Sequence, residues 1–270
     1  MPPELPEVES VKRSLEEKLP SGTRWVEVIL NRKDLRVPFP KDLRKKLVNS
    51  EVLGLERRAK YLIFKRKEKD LLSHLGMSGT WRELKAGETL KAHDHLIFGF
   101  DNGLRLAYND PRRFGLVDWG GVDSPWLREL GPEPLSAAFN PAYLLQQMKG
   151  RKAAVKVLLM NAHLVVGIGN IYASEILFLA GVKPARPGSK ITPTEAALIV
   201  KHTKAVLKKA IKAKGSTLKD YRMVNGDSGK FQNSFKVYSR GGEKCFSCGA
   251  AIRSEVLGQR STYWCSRCQK

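Results

Sequence analysis

The first 244 residues of this chain contain no cysteine. No disulfide framework can brace the bulk of the fold, and no thiol nucleophile is available there. Long hydrophobic runs are missing too. None approaches the about 18 residues that a membrane-spanning helix requires. The opening stretch, MPPELPEVES, carries Glu4, Glu7 and Glu9 and no basic residue. That is the wrong sign for the n-region of a secretory signal. A cytoplasmic protein without a membrane partner is therefore expected. Acid is scarce overall, with 27 Asp and Glu against 48 Lys and Arg and a net charge of +21. Such an excess points to a nucleic-acid-binding face more than to solubility alone. With 42% hydrophobic residues over 270 positions, the chain can fold as one large domain or two ordinary ones.

The cysteines that do occur fall within the last 26 residues. Cys245 and Cys248 read CFSC, sixteen residues follow, and Cys265 and Cys268 read CSRC. Two disulfides are the competing reading. In a chain without a secretion signal, paired C-x-x-C at this separation favours four thiolates around one structural Zn²⁺. A metal so held folds a segment too small to hold itself by burial. The intervening residues read as a β-hairpin, with Gly258 at the turn and Tyr263 and Trp264 in the second strand.

Between those ends the pattern changes twice. Val8, Val11, Leu15 and Leu19 recur at helical spacing, which predicts a helix over 5–19. From 24 to about 125, runs such as WVEVIL, EVLGLERRAKYLIFKR, HLIFGF and LRLAYND alternate with turn signals. They predict a β-sandwich or flattened barrel. LGPEPLS at 130–136 reads as a linker, and helical runs follow it: AYLLQQMKGR, KAAVKVLLMNA, NIYASEILFLAG and TPTEAALIVKHTKAVLKKAIKAKG. Thr192 with Glu195 three residues on has the form of a capping box. Residues 215–243 read as a loop. The expected fold class is α+β and multidomain: an N-terminal helix plus β-sandwich at 1–130, a helical domain at 131–240, and a zinc hairpin at 241–270.

Several stretches then stand in a telling order: PELPEVE at 3–9, RRAKYL at 57–62, HLGMSG at 74–79, HDH at 93–95, DPRRFG at 110–115, GIGNIYASE at 167–175 and QR at 259–260. From residue 2 to residue 270 the chain resembles the formamidopyrimidine-DNA glycosylases, bacterial base-excision-repair enzymes. The resemblance implies a helix–two-turn–helix in the middle domain and double-stranded DNA containing oxidised bases as partner. It also implies a monomer working near the nucleoid and no organic cofactor. The implied activity is removal of oxidised purines, 8-oxoguanine and formamidopyrimidines, followed by strand cleavage through β- and δ-elimination. Two alternatives stay open: the sister family acting on oxidised pyrimidines, and a non-catalytic zinc-finger protein that binds damaged DNA.

The chemistry needs an unprotonated amine to attack C1′ of a flipped nucleotide. An α-amino group meets that need near neutrality far better than a lysine. In the family the nucleophile is an N-terminal proline followed directly by glutamate. Here Met1-Pro2-Pro3-Glu4 departs from that register by one residue, so Pro2 and Pro3 are both candidates. By the same resemblance Glu4 is the acid–base carboxylate, Glu7 positions the terminus, and Lys60 touches phosphate and assists β-elimination. Met77, Arg112 and Phe114 are implied to fill the void left by the flipped base. Arg113, His93, Arg151, Lys152 and Asn170 are implied to bind the DNA backbone, and Arg260 to bind the flanking phosphates and serve δ-elimination. Lys156 is a candidate to line the site, whereas Glu175 is expected simply to brace the turn. Residues 214–231 correspond to a lesion-capping loop, with Ser216, Thr217 and Tyr238 as contacts.

Overall fold

The computed structural model describes residues 2–121, 123–217, 223–224 and 226–270. By their contacts these fall into two compact units, Met1–Arg128 with Ala213–Lys230, and Glu129–Lys212 with Phe231–Lys270. The segment 213–230, grouped by its sequence with the helical domain, thus clusters with the first unit, and the cysteine hairpin clusters with the second.

The first unit opens with α1 (Leu5–Glu16), followed by β1 (Trp25–Leu30), α2 (Leu43–Leu47), β2 (Gly54–Arg58), β3 (Tyr61–Lys65), β4 (Asp70–His74), β5 (Thr80–Glu83), β6 (Asp94–Phe100), β7 (Arg105–Asn109) and β8 (Leu116–Gly120). Helix α1 is three residues shorter than its apolar spacing predicts. Both the Lys18 and the Leu19 N–H bond the Leu15 carbonyl in a closing turn, and this still carries Leu19 into the core. The strands form two four-stranded antiparallel sheets, ordered β1-β6-β7-β5 and β2-β3-β4-β8. Trp25, Phe64, Trp81 and Phe98 meet inside this sandwich, with the Trp81 and Phe98 rings stacked 5.2 Å apart. Val8, Val11 and Leu15 bury the inner face of α1 in the same cluster. Truncating Leu15 to Ala would cost about 2–5 kcal/mol. The first residue of α1, and with it the proline pair before it, is thereby fixed to the sandwich.

The second unit contains α3 (Pro141–Met148), α4 (Val155–Leu159), α5 (Asn170–Leu179), α6 (Pro193–Lys212), β9 (Ile252–Leu257) and β10 (Arg260–Cys265). Helix α4 is far shorter than KAAVKVLLMNA suggests, because the Val155 N–H bonds the Arg186 carbonyl and the Lys156 N–H the Pro184 carbonyl. Tertiary partners take the donors that an earlier helical turn would have used. At α6 the expected capping box is present: the Thr192 N–H reaches Glu195 Oε2 at 2.9 Å, and the Glu195 N–H reaches Thr192 Oγ1 at 3.3 Å. Strands β9 and β10 pair antiparallel through a turn at Gly258 and Gln259, as the hairpin reading requires.

Candidate active site and nucleic-acid interface

In the first unit, Pro3 and Glu4 are buried and Pro2 is half-buried. Glu4 is the N-cap of α1, and its N–H donates to Glu7 Oε2 at 3.0 Å. The other oxygen of Glu7 accepts the Ser216 N–H at 2.7 Å and the Ser216 hydroxyl at 3.0 Å. One carboxylate thus ties the chain start to the segment 213–230. Gly215 allows the approach: its φ is +78°, and a Cβ there would stand 2.8 Å from Glu7 Oε1. The neck of that segment is closed by an antiparallel bridge between Ser216 and Lys230, and the Gly229 N–H bonds Thr217 Oγ1 at 2.8 Å. Residues 218–222 and 225 of the expected capping loop lie outside the described residues.

Lys60 occupies the two-residue turn between β2 and β3, after Ala59 at φ +56°. Beside it lies His74, whose ring packs 4.7 Å from that of Tyr61. Burial, together with the charges of Lys60 and Arg36, pushes the His74 pKa down to about 4. The neutral ring accepts the Gly76 N–H on Nδ1 at 3.0 Å and so holds the turn that presents Met77.

Met77, Arg112 and Phe114 are brought together by a shared anchor, Asp110. Its carboxylate accepts the Ser78 hydroxyl at 2.6 Å and the Gly115 N–H at 2.8 Å, and the Arg112 N–H reaches Ser78 Oγ at 3.2 Å. The two loops touch so closely that a Cβ at Gly76 would lie 2.4 Å from the Phe114 carbonyl carbon. The Arg112 guanidinium sits 5.0 Å from the centre of the Phe114 ring, and Phe114 is 46% exposed. Arg113 is exposed at φ +58°. The HDH stretch supports the same turn. His93 is exposed, and its carbonyl accepts the Asp110 N–H, while the buried His95 ring bonds the Asp110 carbonyl at 2.9 Å. Asp94 is buried against Arg82, Asn109 and the Lys91 N–H. Sequence reasoning missed Ser78, His74 and Asp110, although all three lie inside the motifs HLGMSG and DPRRFG.

In the second unit Asn170 begins α5. Its Oδ1 accepts Lys156 Nζ at 2.5 Å and its amide donates to the Ser261 carbonyl at 3.0 Å. Lys156 is fully buried, and its ammonium also reaches Thr262 Oγ1 at 2.7 Å. These bonds fix the strand on which Arg260 stands exposed. Arg151 and Lys152 are exposed on the loop after α3. Glu175 accepts the backbone N–H groups of Lys236, Val237 and Tyr238 at 2.8–3.0 Å. Burial raises its pKa despite those donors, and its position is that of a brace for the turn. The four cysteine sulfurs lie within 4.8 Å of one another, with Cys248–Cys265 at 3.4 Å and Cys245–Cys268 at 3.9 Å. Tetrahedral Zn–S bonds near 2.3 Å place sulfurs about 3.8 Å apart, so the donor set fits one zinc ion. Sulfurs at these distances form no disulfide.

A capped N-terminal helix on an antiparallel sandwich, a helical unit and a four-cysteine hairpin together define a class of zinc-finger helix–two-turn–helix proteins. Residues 1–117 match the formamidopyrimidine-DNA glycosylase N-terminal domain, residues 130–222 the H2TH domain of those enzymes, and residues 242–270 the zinc finger found in FPG and IleRS. The formamidopyrimidine-DNA glycosylase of Bdellovibrio bacteriovorus is 48% identical over 270 residues, covering 99% of this chain and 100% of that one. Two Lactococcus lactis FPG structures also match, each over 99% of this chain. One is a mutant bound to Fapy-dG DNA, with TM-score 0.92, 33% identity and 100% of its length covered. The other is a complex with abasic-site DNA, with TM-score 0.90, 34% identity and 99% covered. This chain belongs to the formamidopyrimidine-DNA glycosylase family.

Proposed function

We propose that the protein is a bifunctional glycosylase and AP lyase that removes 8-oxoguanine and formamidopyrimidines from duplex DNA. The observation that carries this reading is the buried Glu4, set directly after the proline pair, its N–H held by Glu7, which Ser216 anchors in turn. The secondary amine of an N-terminal proline, Pro2 or Pro3, attacks C1′, and the damaged base leaves as Glu4 supplies a proton. The C1′–O4′ bond then opens, O4′ taking the proton that the amine gives up, and the resulting iminium acidifies the neighbouring C2′–H. Lys60, at a fixed turn, holds phosphate and assists proton transfer as the 3′ phosphate departs.

Met77 and Phe114 enter the vacated stack, and Arg112 faces the unpaired cytosine, offsetting lost stacking. Arg113, His93, Arg151, Lys152 and Asn170 grip the backbone. Arg260 holds the phosphates that flank the flipped nucleotide and serves the second elimination. The zinc ion supplies no chemistry to these steps; it keeps the hairpin folded. One chain carries every group named, so a monomer acting on the cytoplasmic chromosome is sufficient.

Borohydride trapping on an 8-oxoguanine duplex, with peptide mass mapping of the crosslink, tests this reading. A crosslink on Pro3 means that Met1-Pro2 is trimmed away. A crosslink on Pro2 means that the site accommodates the extra residue. Lesion binding without any crosslink makes the protein a recognition factor and overturns the proposal. Faster excision of 8-oxoguanine than of thymine glycol distinguishes purine from pyrimidine specificity.

A further inference from the structure

Strand β1 stands at the edge of its sheet. The opposite edge, β5, is tied at Glu83, whose N–H reaches the Val224 carbonyl at 3.3 Å. The start of β1 is covered as well: the Trp25 N–H bonds the Ser50 carbonyl and the Asn49 N–H bonds the Trp25 carbonyl. Beyond a bulge between Trp25 and Glu27 the cover ends. The Asn31 N–H donates to the His95 carbonyl at 3.0 Å, and Ile29 faces Ile97 in the same register. Bonded pairs alternate along an antiparallel ladder. Ile29 and Asn31 therefore turn their main-chain groups toward β6, and Val28 and Leu30 turn theirs outward. Among the described residues no hydrogen bond reaches those outward groups.

Helix α2 runs beside this open edge, and the two enclose a groove of about 980 Å³. One wall carries Lys41, Arg44 and Lys45, all exposed and, among the described residues, without an ion pair. The nearby acids are already engaged: Asp42 pairs with Lys46 at 2.6 Å, and Glu27 with Arg105 at 2.8 Å. The strand itself presents Val26, 51% exposed, and Leu30, 39% exposed. Open edges are usually blunted by bulges, Pro or charged side chains, Lys above all, on the edge strand itself. The bulge and Glu27 of β1 lie before Val28, and 28–30 carries neither charge nor Pro; the basic charge lies across the groove, where it attracts rather than blocks.

We propose that this groove binds an extended acidic peptide segment of a partner protein, which adds to the sheet as a further strand beside β1. Its main chain bonds the outward groups of Val28 and Leu30. Its Asp and Glu side chains meet Lys41, Arg44 and Lys45, and its alternate apolar residues cover Val26 and Leu30. A nucleic-acid strand would satisfy the charge but offers no peptide groups for the open ladder.

Fluorescence anisotropy of an eight-residue peptide alternating Asp and Val, with the full chain, tests the proposal. Two further versions of the peptide carry N-methyl groups on odd or on even residues. Only one edge of an added strand meets β1, so one methylated version binds at least tenfold more weakly and the other does not. The triple variant Lys41→Ala, Arg44→Ala, Lys45→Ala also loses at least tenfold, while its cleavage of an 8-oxoguanine duplex is unchanged. Absence of peptide binding, equal binding of both methylated peptides, or full displacement by equimolar undamaged duplex overturns the assignment.

Discussion

Glu7 uses both of its carboxylate oxygens as acceptors. Oε2 receives the Glu4 N–H, and Oε1 receives the Ser216 N–H and hydroxyl. In Glu7→Gln one of those oxygens becomes an NH₂ group, and donor then faces donor in a buried site. Leaving such a group unsatisfied costs about 1–3 kcal/mol. The urea midpoint is expected to fall accordingly, and Schiff-base trapping to slow by more than the stability loss explains, because the proline pair loses its register. Trapping at the native rate would show that Glu7 serves the fold alone. At this scale the sequence was readable where a motif marks the family, as with PELPEVE in the matched N-terminal domain, and unreadable where a residue works through backbone geometry. Asp110 looks like the start of an ordinary DPRR turn; only the folded chain shows it gathering Ser78, Arg112 and Gly115.

Elements with a strong local signal were legible, and those defined by tertiary partners were not. The apolar spacing of α1, the Thr192–Glu195 cap of α6 and the turn at Gly258 each announce themselves. Strands β4 (DLLSH) and β8 (LVDWG) do not, because each mixes polar residues into a weak alternation. They are strands because they pair with each other in the sheet. The hairpin β9–β10 stands between these cases. The cluster around it is small and borrows Phe178 from α5 and Val237 from the preceding segment, leaving Cys245, Ile252 and Cys265 of its own, so the metal must supply much of its stability. Cys245→Ser is therefore expected to lose zinc and DNA binding together, since Arg260 loses a folded strand to stand on. Metal analysis beside an electrophoretic binding assay checks this. A zinc-free variant that still binds DNA at full strength would separate the hairpin from recognition.

At the scale of the whole molecule, the net charge of +21 was legible from composition, and its meaning lies in where the groups fall. Arg112, Arg113, Arg151, Lys152 and Arg260 are all exposed. Many other basic residues are already engaged in intramolecular pairs, such as Arg57 with Glu9 and Arg82 with Asp94. Each such pair removes one acid with one base and leaves the excess of +21 unchanged; that excess is spread over the whole surface, so the number of cations neutralised on binding is the sharper quantity. Each neutralised phosphate contributes about 0.9 to the negative slope of log affinity against log salt on duplex DNA. With Lys60, Arg113, Arg151, Lys152 and Arg260 on phosphate, and Arg112 facing the unpaired base, the slope is expected to be about −4.5, and affinity falls about five-hundredfold between 50 and 200 mM salt. Removing one of them, as in Arg151→Ala, should flatten the slope by about one unit and weaken damaged and undamaged duplex alike, because phosphate contacts carry no sequence information. Anisotropy titrations across that salt range measure both quantities. A slope shallower than about −2 would mean that most of these cations do not meet phosphate, and that the basic excess serves another surface of the molecule.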